Sequence, residues 1–411
     1  MIQIAILGFG TVGSGVYEVV DKNQENYRKK TGQDIVVKKI LDIRDFENCP
    51  FHDRFTKKYE DILNDDEISV VVEVMGGLHP AYEYTMQALL KGKHVVTSNK
   101  ELVATFGAEL LKTAREMHVN YMFEASVGGG IPIIRPLHSC LAANHITEIC
   151  GILNGTTNYI LTQMIDENKS FDVALKDAQE KGYAERNPEA DVEGYDACRK
   201  IAILSSLVFG KQVEYDKIYT EGISKIQLED VEYVSKIGCV IKLLALSSER
   251  NGQVYARVCP TVISRDNQLS NVNDVFNAIL IKGDAIGDVM FYGRGAGKLP
   301  TASAVIADVI DIVRTQGSSN RYFWEGSDDS YVGDYRELMV GYYVRIRITD
   351  RADAMGKIDQ LFGKCDYILM EGNLQDELAF ITPIEKDGEL IKKIEQLKSK
   401  TEVLSAIRKL N

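Results

Sequence analysis

Two rhythms of apolar residues alternate along the first hundred positions. Ile2-Gln3-Ile4-Ala5-Ile6-Leu7 is a short apolar run that predicts a strand, and Val16, Val19 and Val20 then recur at helical spacing. Ile35–Leu41 predicts a second strand, Val70–Val74 a third and His94–Thr97 a fourth, with a helix near Tyr82–Lys91 between the last two. Strands alternating with helices predict an α/β fold built on a doubly wound parallel sheet.

Between the first strand and its helix stands Gly8-Phe9-Gly10-Thr11-Val12-Gly13, a G-x-G-x-x-G turn. In such a turn the first glycine allows the tight bend, the second lets backbone approach a pyrophosphate, and the third lets helix pack on strand. The helix N-terminus then offers N–H groups to the phosphate. Gly8, Gly10 and Gly13 therefore point to a Rossmann-type dinucleotide domain. The second strand ends at Asp42-Ile43-Arg44-Asp45. An acid there holds the ribose 2′-hydroxyl of NAD, and an arginine holds the 2′-phosphate of NADP. Both types are present, and Arg44 tilts the expectation toward NADP with NAD also possible. If the strand continues, alternation puts Asp42 and Arg44 on the same side, where they can pair.

A second chemical signal lies at Gly182–Lys200. Pro188 and Gly194 interrupt its first half, which reads as a loop. From Gly194 the pattern turns helical, with Ile201, Leu204, Leu207 and Val208 at apolar spacing. Asp196 and Lys200 fall one turn apart on one face of that helix. A lysine near apolar surface loses charge easily, while a neighbouring carboxylate holds the charge on, and this opposition tunes a proton donor. A partly buried ion pair that pins the helix is the other reading of the same residues.

After Arg314 the pattern changes. Gln316-Gly317-Ser318-Ser319-Asn320 and Glu325–Ser330 read as loop or linker. Tyr342, Val344, Ile346 and Ile348 then alternate with Tyr343, Arg345, Arg347 and Thr349, which predicts a half-buried strand. Helical spacing at Ile358, Leu361 and Phe362 follows, with strands near Tyr367–Met370 and Leu378–Thr382. A helix at Leu390, Ile394 and Leu397 and a last strand at Val403–Ile407 complete a ferredoxin-like βαββαβ order.

Composition narrows the class. A chain of 411 residues supports two or three domains. Its net charge of −12 argues against nucleic acid or an anionic membrane as partner. The apolar runs are too short to span a bilayer, and the first residues form a strand rather than a basic signal region. The seven cysteines lack C-x-x-C spacing and their odd count suits reduced thiols, so a cytoplasmic enzyme is expected. The six histidines form no zinc-binding pattern.

Four further stretches carry a family resemblance. They are Val95-Val96-Thr97-Ser98-Asn99-Lys100, Phe123–Pro132, Gly151-Ile152-Leu153-Asn154-Gly155-Thr156-Thr157-Asn158-Tyr159 and Gly293–Thr301. With Gly182–Lys200 they resemble homoserine dehydrogenase, in order, over about residues 1–320. The resemblance implies interconversion of L-homoserine and L-aspartate 4-semialdehyde, in the biosynthesis of threonine, methionine and isoleucine. It implies Lys200 as proton donor and acceptor, Asp196 as its partner, and Lys100 at the meeting of cofactor and substrate. Glu185 and Asp191 would bind the small-molecule amino acid. Thr11 and Val12 fall in the pyrophosphate turn, and Gly76 and Gly297 join the cofactor set. Glu124, Val127, Gly129 and Ile131 match a loop whose backbone carbonyls hold sodium or a similar monovalent cation. From the residues alone, that glycine-rich loop reads as a tight backbone turn.

The expected domains are a cofactor domain at 1–122 completed by 297–318, a substrate and dimerisation domain at 123–296, a linker at 319–338 and a tail at 339–411. A homodimer or homotetramer is expected. The tail resembles an ACT domain, an amino-acid-sensing module. Where such domains commonly carry Pro-Gly after the first strand, this chain has Asp350-Arg351-Ala352-Asp353-Ala354. Threonine sensing and a degenerate, dimerising or retuned module are both open. Three other readings compete with the enzyme, and one of them, a purely structural or partner-binding module, needs neither the glycine turns nor the array from Glu185 to Lys200. A phosphorylating semialdehyde dehydrogenase needs a thiolate nucleophile, yet Asn154–Asn158 holds no cysteine and Cys150 lies in an apolar run. A non-catalytic nucleotide sensor explains the glycine turns but not the array from Glu185 to Lys200.

Overall fold

β1 (Ile2–Leu7) has Ile4, Ala5, Ile6 and Leu7 wholly withdrawn from water, as a strand covered on both faces must be. The computed structural model describes residues 1–315, 322–370 and 376–410. Around β1 lie β2 (Ile35–Leu41), β3 (Phe55–Thr56), β4 (Ile68–Glu73), β5 (His94–Thr97) and β6 (Tyr121–Met122). The sheet order is β3-β2-β1-β4-β5-β6 and every pairing is parallel. Helices Thr11–Lys22, Ala81–Leu90 and Lys100–Glu116 connect these strands. The strand order reverses between β1 and β4, the switch point where such sheets take ligands.

A fourth helix, Lys298–Arg314, arrives from far along the chain and lies on Thr11–Lys22. Lys298 Nζ is 2.9 Å from Glu18, and Ala302 packs against the space left by Gly15. The expected linker is irregular in its described part, but Trp324 within it is 1% exposed. The indole donates Nε1–H to Gln212 Oε1 at 2.7 Å and abuts Gly107, so this segment is anchored. Gln316–Asn320, the first half of that expectation, lies outside the described residues.

The contacts divide the chain into two units. One comprises Met1–Ile149, Arg199–Tyr215 and Ile281–Tyr331, and the other Cys150–Cys198, Asp216–Leu280 and Val332–Asn411. In chain order the later strands are β7 (Ile146–Ile152), β8 (Tyr219–Thr220), β9 (Cys239–Arg250), β10 (Gln253–Ser264), β11 (Phe276–Gly283), β12 (Gly287–Arg294), β13 (Met339–Arg347), β14 (Asp366–Ile368), β15 (Glu377–Ile381), β16 (Glu385–Lys386) and β17 (Val403–Lys409). A mixed sheet runs β7-β9-β10-β17-β13-β15-β14. Its last four strands, with helices Arg351–Phe362 and Asp387–Lys398, form the βαββαβ tail. β17 pairs in parallel with β10, Thr261 opposite Arg408, so the tail extends the sheet of the second unit.

One expectation for this tail is corrected. β13 is not half-buried: Tyr343 and Arg345, on the face expected in water, are as buried as Tyr342 and Val344. Arg345 donates Nε–H to Asp230 Oδ1 and Nη1–H to Glu377 Oε2, both at 2.8 Å, and Tyr343 donates its hydroxyl to Asp230 at 3.2 Å. The alternation of residue types is real, but the polar face meets a cluster of buried charges on helix Leu228–Lys236 and β15 instead of solvent.

Candidate active site

At the switch point the three glycines of the turn have separate tasks. Gly8 has φ +94°, and a Cβ there would come within 3.0 Å of Met75 Cα. Gly13 sits so near the strand end that a Cβ would lie 2.0 Å from Gly8 O. Gly10 is the N-cap of the helix Thr11–Lys22 and faces open space, which leaves room for a phosphate at the amides of Thr11 and Val12. Gly76 follows β4 with φ +83°, also facing open space. Gly297, at φ +125°, caps the helix Lys298–Arg314.

Beside this turn, Asp42 and Arg44 are paired. β2 stops at Leu41, so the pairing comes from a turn and not from strand alternation. Arg44 reaches Asp42 with Nε at 3.0 Å from Oδ1 and Nη2 at 2.9 Å from Oδ2, and Phe9 N–H donates to Oδ2 at 2.7 Å. The Arg44 hydrogen bonds and the Phe9 amide hold the Asp42 carboxyl at about 2, against its burial. Arg44 itself remains largely in solvent.

Lys100 is the first residue of the helix Lys100–Glu116, directly after β5. Asn99 fixes that start: its Oδ1 accepts from Leu102 N–H at 3.2 Å and its Nδ2 donates to Gly77 O at 2.6 Å. Under it, Thr97 donates its hydroxyl to buried Glu73 at 2.6 Å. Burial pushes the Glu73 carboxyl up, opposed by the Thr97 bond.

In the second unit, one amide joins two of the expected site carboxylates. Asn154 Nδ2 donates to Asp191 Oδ1 at 2.7 Å and to Asp196 Oδ2 at 2.9 Å. Its Oδ1 accepts from Thr157 N–H at 2.9 Å, capping the helix Gly155–Asp166. The Asn154 side chain is thereby oriented by a helix end, and it orients both acids in turn. The expected loop before Gly194 contains a short helix, Glu189–Val192, that carries Asp191. Helix Tyr195–Phe209 carries Asp196 in this unit and, one turn further on, Lys200 in the first unit; both are buried. Glu185 lies on an exposed stretch. Asn154 and Asn99 have no role in the sequence reading. An asparagine just before a helical run is a cap signal, and it was the available clue for each.

Glu124, Val127, Gly129 and Ile131 lie in one buried turn. The Glu124 carboxylate is consumed by the backbone: it accepts from Ile133, Ile134 and Arg135 N–H at 2.6, 2.9 and 2.8 Å. Among the described residues no group of three or more His, Cys, Asp or Glu side chains could hold a metal ion.

Comparison with known proteins places the chain among nicotinamide-dependent oxidoreductases. The family model described as homoserine dehydrogenase, NAD binding domain, matches residues 8–124, and that described as homoserine dehydrogenase matches 132–310. The homoserine dehydrogenase of Synechocystis sp. is 40% identical, with all of both chains covered. The crystal structure of a homoserine dehydrogenase from Thiobacillus denitrificans superposes with TM-score 0.92 at 36% identity, covering 100% of this chain and 98% of that one. A hyperthermophilic archaeal homoserine dehydrogenase mutant in complex with NADPH has TM-score 0.64 at 28% identity, covering 75% of this chain and 97% of that one. The chain belongs to the homoserine dehydrogenase family. It is an oxidoreductase that interconverts L-homoserine and L-aspartate 4-semialdehyde with a nicotinamide nucleotide. Cys150 agrees, being 3% exposed within β7 and no candidate for a substrate thioester. No helix among the described residues is long and apolar enough to cross a membrane.

Proposed function

We propose that Lys200 gives the proton to the aldehyde oxygen of L-aspartate 4-semialdehyde and recovers it in the reverse direction. The nicotinamide nucleotide, when bound, supplies the hydride for the aldehyde carbon. Negative charge then grows on the aldehyde oxygen and needs a cation or donor already in position. Lys200 supplies both, and Lys100 adds to the field. Asp191 and Glu185 receive the substrate ammonium, with Asp191 the stronger because its carboxylate is already oriented.

The observation that carries this reading is the pair of Asn154 bonds to Asp191 and Asp196, the latter one helical turn before buried Lys200. Following nicotinamide absorbance with L-homoserine and each nucleotide tests it. The wild-type chain should turn over, and Lys200→Ala should be slower by about 10²–10⁴-fold. Equal turnover by both would discard the assignment of Lys200.

NADP is proposed as the preferred nucleotide, with NAD also accepted through Asp42. Support comes from Arg44 beside the turn, and from the archaeal relative solved with NADPH. The loop of Glu124, Val127, Gly129 and Ile131 is proposed to hold a monovalent cation through its carbonyls. Carbonyl oxygens suit a hard ion, and with its one carboxylate engaged by backbone amides the loop does not suit a divalent metal. A thermal midpoint that rises in sodium chloride and not in choline chloride tests this. The assembly is proposed as a homodimer or homotetramer, supported by exposed Ile286, Met290 and Tyr292, with scattering mass in solution as the test. The tail is proposed as an ACT-like module on its strand order, with no effector assigned.

A further inference from the structure

The two acids held by Asn154 flank a bend at Val192–Gly194, and that bend is gripped by Glu221–Ile223. Ile223 N–H donates to Val192 O at 2.8 Å. Gly222 is so close that a Cβ would lie 2.3 Å from Val192 O and 2.5 Å from Glu193 Cα. Glu221 is itself held by the tail: Arg408 of β17 donates Nη1–H to Glu221 Oε2 at 3.1 Å, and Tyr219 donates its hydroxyl there at 2.8 Å. Arg408 is 3% exposed, and its Nε is 2.7 Å from Asp387, at the start of the last helix. Tyr342 donates its hydroxyl to Asp387 at 2.6 Å, and the Arg408 guanidinium lies 4.5 Å from the Tyr219 ring centre. Every residue from Asp387 through Arg408 and Glu221 to Val192 belongs to the same unit.

We infer that Arg408 and Glu221 are positioning residues for the substrate carboxylates, so that the tail sets the affinity for the amino-acid substrate. This rests on the reading of Asp191 as a substrate-binding residue. Arg408 has a planar fork with Asp387 on one side and Glu221 on the other, so its orientation fixes theirs. Being buried, it cannot exchange these partners for water without a large desolvation imbalance. The next residue after Glu221 is the glycine that abuts Val192, so a displacement of Glu221 passes directly into the bend. Asp191 and Asp196 lie at the two ends of that bend. The dinucleotide turn belongs to the other unit, so the effect falls on the amino acid and spares the nucleotide.

Steady-state kinetics of three variants test this. Glu221→Gln keeps the shape and the bond from Tyr219 but removes the charge facing Arg408. It should raise the KM for L-homoserine about fivefold, the low end of coupling between sites, with kcat and the KM for NADP near those of the parent. Gly222→Ala pushes on Val192 O and should raise the same KM further. Asp191→Asn reports on the underlying reading and should also raise it. If Asp191→Asn raises the KM while Glu221→Gln leaves it unchanged, the coupling is refuted and the substrate reading stands. If Asp191→Asn itself has no effect, the substrate reading fails and the inference with it. A Glu221→Gln enzyme whose nucleotide KM and kcat deteriorate as much as its homoserine KM has lost structure generally, which also overturns the inference.

Discussion

Arg345 and Asp230 meet at 2.8 Å with both side chains withdrawn from water, although they lie 115 residues apart in sequence. Arg345 also reaches Glu377, and Gln227 accepts a further bond from it. The pair joins the βαββαβ tail to the helix Leu228–Lys236 within one unit. Arg345→Met leaves Asp230 and Glu377 without their cation. Breaking such a buried pair costs about 3–5 kcal/mol. Urea unfolding should show that loss, and Asp230→Asn added to Arg345→Met should recover part of it. An unchanged midpoint in the single variant would mean the cluster contributes little.

For catalysis, Lys200→Ala should lower kcat by about 10²–10⁴-fold, the usual worth of general acid–base catalysis. The KM for NADP should change little, because the dinucleotide turn is untouched. Near-normal turnover would leave Lys200 as a structural ion-pair partner.

Asn154→Ala should raise the KM for L-homoserine and leave nucleotide affinity intact. It removes a helix cap, worth about 1 kcal/mol, and releases Asp191 and Asp196 from their shared donor. Comparing Asn154→Ala with Asn154→Ser, which keeps a capping oxygen but has no amide to reach the two acids, separates lost orientation from a weakened helix start. A parent-like KM in Asn154→Ser would remove Asn154 as an orienting residue.

Arg44→Ala should weaken NADP and spare NAD. The Asp42 carboxylate, freed from Arg44, can then accept a ribose hydroxyl. If both nucleotides weaken equally, Arg44 is not the reader of the 2′-phosphate.

Acid stability supplies a further test at Asp42. Arg44 chiefly, with the Phe9 amide, holds its carboxyl at about 2, below the ordinary 3.8. A depressed carboxylate contributes stability above its unfolded value and loses it as pH falls through the folded one. That contribution should be complete above 3.8 and should fade toward pH 2, and it should be missing in Asp42→Asn throughout. The two proteins' unfolding curves should converge at the acid end. Parallel curves down to pH 2 would contradict the pairing.

Strands and glycines of the cofactor unit were legible because local physics decides them. An apolar run with no polar alternation needs cover on both faces, and the spacing of Gly8, Gly10 and Gly13 is set by backbone sterics alone. Lys200 and Asp196 were legible for the same local reason, since one helical turn brings them together. The relationships that escaped notice were long-range. Nothing in the sequence near Tyr343 and Arg345 reveals that Asp230 lies opposite them, so their alternation reads locally as a wet face. Trp324 likewise stands just before the polar stretch Glu325–Ser330, and its burial depends on Gly107 and Gln212, far away in sequence. Alternation would put Arg44 and Asp42 on one side only if the strand continued; it stops at Leu41, and a turn brings them together.

The helix Lys298–Arg314 leaning on Thr11–Lys22 has a consequence for how the chain is made. The strand Ile2–Leu7 and its glycine turn leave the ribosome well before the helix that covers them, which is encoded almost three hundred residues later. At roughly 5–20 residues per second, synthesis of that interval takes on the order of 15–60 s. Through that time the face of Thr11–Lys22 meant for Ala302 and its neighbours stays open to solvent and to other nascent chains. Nucleotide affinity should therefore appear late in translation, after residue 314, and stalled chains ending before Lys298 should be the ones that chaperones retain.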